Sequence, residues 1–542
     1  MSVQRLLDRV RASRQARAAM ADYSFAPHEQ PTFPGSPYNP AHTTWRRVVY
    51  GLVAVVMALT MTFGYALVTI NIQALAGGLD IYVADAGWLT AAYVGTNACA
   101  NLLLVKARQQ FGIPAVSHTL LVVYAAATVF QVVVPGFGSA LMVRAVDGMT
   151  AAALSTLTLY YLIQMVPAKF RPIALLLGVT LPQFGSPLAR MVPVEMLVAG
   201  NWHGLHLIEL GLALAALAAM WAAPLPPSQQ HKAFEKLDLV TVALFLPAMW
   251  LICGVLASAR LLWWTDTPWL GWALMAAVPL VVGVLLIELN RKNPLIDLHW
   301  ITSRDMARFA IVAFLMRLIL SEQSVGAIGL ITAAGLNNDQ THALFGVIIA
   351  AMVAGAVTAV LTVSAKSPPY QVMAAALIVT LAAWMDSDAT ALTRPAQLMV
   401  TQAMVGYATM LFIGPCLLYG FMRLLERGAT VLVSLVVLFN LTQNLGGLLG
   451  AALFGTYQVA RTRVHALAMS EHLLGSDPLV AARLAQGPAA LSAAVTQQAT
   501  IMGYNDMFRV IALLGVVTFC VILFFRLSNR ARLKRAALGP TP

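Results

Sequence analysis

Apolar runs long enough to cross a bilayer recur fourteen times along this chain, and nothing else in the sequence constrains its fold as strongly. A hydrocarbon core needs about 20 apolar residues per helix. The runs fall at 47–74, 83–104, 114–135, 138–166, 170–195, 203–223, 238–260, 267–288, 304–330, 340–364, 368–386, 396–422, 427–456 and 507–527. Of the 542 residues, 59% are hydrophobic and 10% charged, against about 45–50% and about 25% in soluble domains. A water-soluble fold of this size could not hide so much apolar surface. A soluble enzyme, a disordered chain and a secreted disulfide scaffold are therefore excluded. The expected class is an all-α polytopic membrane protein in the lipid bilayer.

Lys and Arg orient the spans. With the N-terminus inside, the tails and inner loops collect twenty-five of them, while the outer loops hold only Arg260, Arg394, Arg461, Arg463 and Arg483. Cytoplasmic loops carry such an excess, so both termini are expected in the cytoplasm of a cell with this protein in its inner (plasma) membrane. The same asymmetry explains the net charge of +12 without nucleic acid. Cys99, Cys253, Cys416 and Cys520 lie in apolar runs without CxxC spacing and read as small hydrophobes. Residues 1–22 are Arg-rich, with Leu6, Leu7 and Val10 on one helical face, and read either as an amphipathic membrane-surface helix or as a solvated basic tail. A Pro-rich linker follows over 26–40. The stretch 457–506 is polar and Ala-rich, with helical periodicity, and is expected as one long outer loop.

Several segments form a recognisable series. "TINIQALAGGL" leads into "GWLTAAYVG". "RAVDGMTAAALSTLTLYYL" is followed by "PAKFRPIALLLG", and "GLLGAALFG" comes before "QQATIMGYNDMF". In this order, over residues 46–527, the chain resembles the major facilitator superfamily, specifically the 14-span drug:proton antiporters of the EmrB/QacA type. That resemblance implies two six-helix halves, spans 1–6 and 9–14, rocking about a site near the bilayer midplane. The expected organisation is a basic tail and linker over 1–45, an N-terminal half over 46–224, two inserted helices over 225–300, a C-terminal half over 301–527 and a basic tail over 528–542. The resemblance also implies proton-coupled efflux. In Gram-negative members a periplasmic adaptor and an outer-membrane channel act as partners.

The chain departs from the family at four places. Span 1 contains no Asp or Glu. "VKARQQFG" keeps Lys106, Arg108 and Gly112 but lacks an acid. The GPxxGG ending of span 5 reads Gly185-Ser186-Pro187-Leu188-Ala189-Arg190, and Asp147 replaces the glutamine of RxxQG. Proton coupling by the family's usual residues is not expected.

A charge at the bilayer centre costs about 2.5–3.5 kcal/mol on insertion scales and marks a functional residue by default. Those retained are Arg144 and Asp147 (span 4), Arg190 (span 5), Glu209 (span 6), and Arg317 and Glu322 (span 9). Arg144 and Asp147, one turn apart, read as an ion pair. The pair is either purely structural or opens so that Asp147 takes a proton and frees Arg144 for substrate. Asp147, Glu322 and Glu209 are the candidate proton carriers. Arg317 and Glu322 lie about 140° apart on an ideal helix, so each needs another partner, with Glu209 and Arg190 as candidates, or an aqueous cavity. Arg317, Ser321 and Ser324 share a face and are expected to line that cavity.

Asn440, Gln443 and Asn444 share a face of span 13, to bind a ligand or to hold helices together. Gly446 and Gly450 read as close helix packing. Gly178, Pro182, Gly185 and Pro187, with Arg190, permit a bend in span 5 that would act in gating. His203, His206 and Glu209 rotate apart on this reading, so no metal is expected. Without a GxxxxGK loop ending in Ser or Thr, or a catalytic constellation, neither ATP, another cofactor nor enzymatic activity is expected.

The sequence thus points to a proton-coupled exporter of small amphipathic or aromatic organic compounds. A large apolar cavity with few polar groups accepts such molecules by burial. An uncoupled facilitator or importer, and a non-transporting scaffold or sensor, stand as alternatives.

Overall fold

The computed structural model describes residues 29–31, 35–167, 170–230, 232–364, 366–428 and 431–537. The amphipathic helix expected over 1–22 lies outside the described residues. Among the described residues fourteen helices are long and apolar enough to cross a membrane: Thr44–Ile70, Val83–Phe111, Ile113–Val133, Phe137–Met165, Arg171–Ala189, Trp202–Ala222, Lys236–Leu262, Pro268–Asn290, Arg304–Ala333, Asp339–Leu361, Pro368–Asp386, Pro395–Arg427, Leu432–Glu471 and Pro488–Ala531. They are spans 1 to 14 below. Helices satisfy every backbone N–H and C=O within the segment, which hydrocarbon requires.

In the first half, spans 1, 2, 3 and 5 pack on span 4, and span 6 packs on spans 1 and 3. In the second, spans 10 and 11 pack on span 12, and spans 11 and 13 on span 14. Span 7 lies along span 2 and reaches span 13, with span 8 outside it. The stretch 457–506 is mostly not a loop. Span 13 runs to Glu471, a short helix covers Pro478–Ala485, and the last helix starts at Pro488. Forty residues of helix extend roughly 60 Å, about twice the hydrocarbon thickness. The two extensions are joined through Asp506, which accepts from Arg461 Nε at 2.6 Å and lies 2.7 Å from His465 Nε2.

The end of the bundle where span 1 begins and span 14 finishes is closed. There Tyr161 and Leu176 of the first half and Phe412, Phe421 and Leu424 of the second belong to one buried apolar cluster. Beside it a charge network fastens spans 7 and 8. Arg291 meets Asp238 at 2.6 Å, Glu235 at 2.9 Å and Glu288 at 3.1 Å, while Lys106 of span 2 meets Asp238 at 2.9 Å. The Asp297 N–H donates to Ser434 Oγ of span 13 at 2.7 Å. The linker is anchored at the same end. His42 Nε2 lies 2.7 Å from Gln164 Oε1, and Pro37 bridges to Ser228.

Candidate functional site

A cavity of about 1470 Å³ lies between the halves and opens at the end opposite the closed one. Tyr65, Thr90, Arg317, Gln443 and Asn444 border its inner part, and Gln73, Glu195, Asn337 and Asp339 its mouth. Most of the remaining wall is Val, Leu, Ile and Ala. At the mouth, Arg190 Nη1 donates to Asn338 Oδ1 at 2.8 Å and stacks over Phe345 at 5.3 Å, and Asn338 reaches Asn71 at 3.4 Å. These contacts bridge the two halves along one flank.

Within the first half, Arg144 donates from Nη1 to Asp147 at 2.9 Å and from Nη2 to Glu209 at 2.5 Å. His206 Nδ1 lies 3.2 Å from the other Glu209 oxygen. All three charged side chains are at most 2% exposed. The i, i+3 pair read from the sequence is therefore a triad, with two carboxylates sharing one guanidinium. His206 and Glu209, expected to rotate apart, do meet, because three residues on a helix leave only about 60° between them. Among the described residues no group of three or more His, Cys, Asp or Glu is placed to hold a metal. Span 1 meets the triad with a glycine. A Cβ on Gly64 would sit 3.0 Å from Glu209 Oε1, so span 6 supplies the carboxylate on that flank. Tyr65 lines the cavity and stacks on Tyr93 at 3.8 Å.

The second half carries a different cluster. Gln402 Nε2 of span 12 donates to Glu322 Oε1 at 2.9 Å and to Asp386 Oδ2 of span 11 at 3.0 Å. All three are buried, and no Lys, Arg or His is within ion-pairing reach among the described residues. Glu322 opens a π-helical turn, Glu322–Ala327, a feature common at functional sites.

Arg317 and Glu322 do point to separate partners, but neither partner is Glu209 or Arg190. Glu209 is occupied by Arg144, and Arg190 by Asn338. Arg317 Nε instead donates to the Gln443 carbonyl at 3.1 Å. Gly446 and Gly447 permit this approach, since a Cβ on either would lie 3.0–3.1 Å from the Arg317 side chain. Ser324 lines the cavity with Arg317. Ser321 is buried and pressed against Gly450, because the α-helix is interrupted at Leu320 and widens to a π turn from Glu322, so the ideal i, i+4 face is not kept. Asn440 also leaves the cavity wall, donating to Asn97 of span 2 at 3.1 Å and accepting from Asn444 at 2.8 Å. The span 13 amides thus divide between joining the halves and facing the cavity.

No family model matches the chain, and no curated protein matches its sequence. Solved structures do. The chain is similar to the human organic anion transporter MFSD10 (TETRAN) at 12% identity and TM-score 0.53, covering 89% of this chain and 100% of that one. It is similar to PepTSo, a POT family transporter, at 13% identity and TM-score 0.53, covering 89% and 99%. It is also similar to the major facilitator superfamily proton:xylose symporter XylE, from E. coli, at 13% identity and TM-score 0.51, covering 87% and 95%. The chain has the major facilitator fold.

In this major facilitator fold, span 5 breaks where its prolines and glycines lie. An α-helix over Arg171–Thr180 tightens to a 3₁₀ turn at Leu181–Phe184 and resumes over Gly185–Ala189. Thr62 Oγ1 of span 1 donates to the Pro182 carbonyl at 3.0 Å. Gly185 lies where a Cβ would collide with Thr62, and Gly178 packs on Leu159 with Pro187 buried nearby. Arg190 ends this broken helix at the cavity mouth.

Sequence reasoning missed Asp386, Gln402, Arg260 and Asn97. Asp386 closes its apolar run beside Ser387 and Asp388, where an acid draws no attention. Gln402 and Asn97, each a polar residue well inside an apolar run, were the available signals.

Proposed function

We propose that this chain is a secondary transporter that exports a small, largely apolar organic solute in exchange for protons, by alternating access of its two halves. With the termini in the cytoplasm of a cell's plasma membrane, as the Lys and Arg asymmetry indicates, the cavity faces outward. The observation that carries the reading is a large cavity between the halves, open at one end and sealed by apolar packing at the other, with buried carboxylates on both sides. Rocking the halves about this site would exchange which end is sealed.

The triad supplies a coupling device. One guanidinium neutralises one of the two carboxylates, and a proton cancels the charge left over. Protonating Asp147 leaves Arg144 bound to Glu209 alone, and so changes the packing of span 4 against span 6. The Glu322–Asp386 pair, with an amide and no cation, is a second place for a proton, on the other half.

Purified protein in liposomes with an internal pH dye tests this reading. Across a panel of hydrophobic anions, cations and neutral drugs, a transported solute should drive proton flux that Asp147→Asn abolishes. Solute movement without a proton signal would replace export by exchange with facilitated diffusion. No movement of any solute would overturn the transport reading.

A further inference from the structure

Three arginines border the cavity, from three different spans: Arg190 of span 5, Arg260 of span 7 and Arg317 of span 9. None reaches a carboxylate among the described residues, whereas Arg144, Arg291 and Arg461 all do. The acids at the cavity are Glu195 and Asp339, both at its mouth, and Asp339 lies 3.8 Å from His342. The inner part therefore carries uncompensated positive charge. An unpaired guanidinium in a membrane interior is costly and is retained where it faces a substrate or ion.

The geometry around Arg317 identifies what it faces. Nε is used by the Gln443 carbonyl, which fixes the guanidinium plane and leaves Nη1 and Nη2 without a partner among the described residues. Beside it, Gln443 Nε2 and Oε1 are buried and make no hydrogen bond to the described residues. Buried polar groups are normally satisfied. An unpaired amide and a guanidinium with two free nitrogens, on two residues that line one cavity, are a ready set of donors for a planar or tetrahedral anion. The same surroundings repel a cation, which would meet Arg317 and no acid in the inner part.

We infer that the cavity binds an organic anion, its carboxylate, sulfonate or phosphate group held by Arg317 and the Gln443 amide and its apolar body laid along Val94, Val325, Ile328 and Leu448. Arg190 and Arg260 line the route between this site and the mouth and attract the anion electrostatically. The inference rests on the transport reading above and names the cargo of that cavity. An anion leaving as a proton enters moves charge twice in the same electrical sense, so an inside-negative potential drives both movements.

The test compares two probes of matched size, naphthalene-1-sulfonate and 1-naphthylmethylammonium, binding to the full chain in lipid nanodiscs by calorimetry. The sulfonate should bind at least tenfold more tightly than the ammonium. Arg317→Gln should weaken it at least tenfold, and Arg317→Lys, which keeps the charge and loses the fork, less. If Arg317→Gln does not fold, Gln443→Leu carries the same test with an expected loss of about threefold or more. Absence of sulfonate binding, equal or tighter ammonium binding, or wild-type affinity in the folded variants would overturn the inference. Liposome uptake separates this from the transport reading. Sulfonate bound but never moved leaves the anion site standing and removes transport. Ammonium moved while sulfonate is not removes the anion site and leaves transport standing.

Discussion

Arg144 of span 4 donates to Glu209 of span 6 at 2.5 Å, and with its other nitrogen holds Asp147 at 2.9 Å. The two acids are therefore not equivalent to substitution. Asp147→Asn leaves the inter-helix pair intact, so the protein should fold with near wild-type stability while solute-driven proton flux falls at least tenfold. Arg144→Ala leaves two buried carboxylates with no cation except His206 nearby and should cost about 3–5 kcal/mol. Thermal unfolding in detergent reads that difference. Exchanging Arg144 and Asp147 should not restore function, since a guanidinium at 147 no longer lies where Glu209 is held.

The Glu322, Asp386 and Gln402 cluster should behave oppositely. Removing one carboxyl, as in Glu322→Gln, relieves like-charge repulsion, so stability should hold or rise while the pH profile of transport changes shape. Gln402→Leu removes the shared donor from both carboxyls and should destabilise by about 1–3 kcal/mol. Transport rates over a pH series, with unfolding measured on the same preparations, check both outcomes.

How much of this was legible in the sequence differs from cluster to cluster. Fourteen apolar runs and the spacing of Arg144 and Asp147 are local facts, and both reappear in the structure. Glu209 was visible as a misplaced charge, but its partner lies 65 residues away, and no periodicity encodes that distance. Ser321 was misplaced because the face drawn through it assumed an unbroken α-helix, and span 9 changes to a π turn at Glu322. Asp386 was hidden by its position at a helix end. The anion-binding face of Arg317 needed the structure, since it depends on what Arg317 does not touch.

Arg291 holds spans 7 and 8 together, so Arg291→Ala should lower stability by on the order of 3 kcal/mol by leaving Glu288 and part of Asp238 uncompensated. Its hydrogen bond, followed by that of Asn293, holds the Glu235 carboxyl below its ordinary value near 4.5. A depressed carboxylate contributes stability above that value and loses it as pH falls through the folded-state value. The acid limb of the wild-type stability profile, below about pH 4.5, should therefore flatten in Arg291→Ala when unfolding is followed from pH 7 downward.

His42 titrates nearer neutrality. Burial is the largest influence on it, outweighing the Gln164 hydrogen bond, and with Arg46 and Arg47 it lowers the imidazole below its ordinary 6.5. The folded state thus favours neutral His42. Its contribution is complete above 6.5 and is lost as pH falls through the lowered value. Wild-type protein should lose stability over that interval, and His42→Gln should lose less. Melting temperatures measured between about pH 7.5 and pH 5 decide it.

Alternating access is the central claim, and two distances measured together test it most directly. Gln73 and Asn337 are exposed on opposite sides of the cavity mouth, and Phe111 and Glu426 are exposed at the closed end. Spin labels at each pair, with the exposed Cys520 replaced by Ser, report both ends by pulsed electron resonance in nanodiscs. Acidification with naphthalene-1-sulfonate present should shorten the 73–337 distance and lengthen the 111–426 distance in the same samples. Distances that stay fixed at both ends, or that lengthen together, would contradict the account.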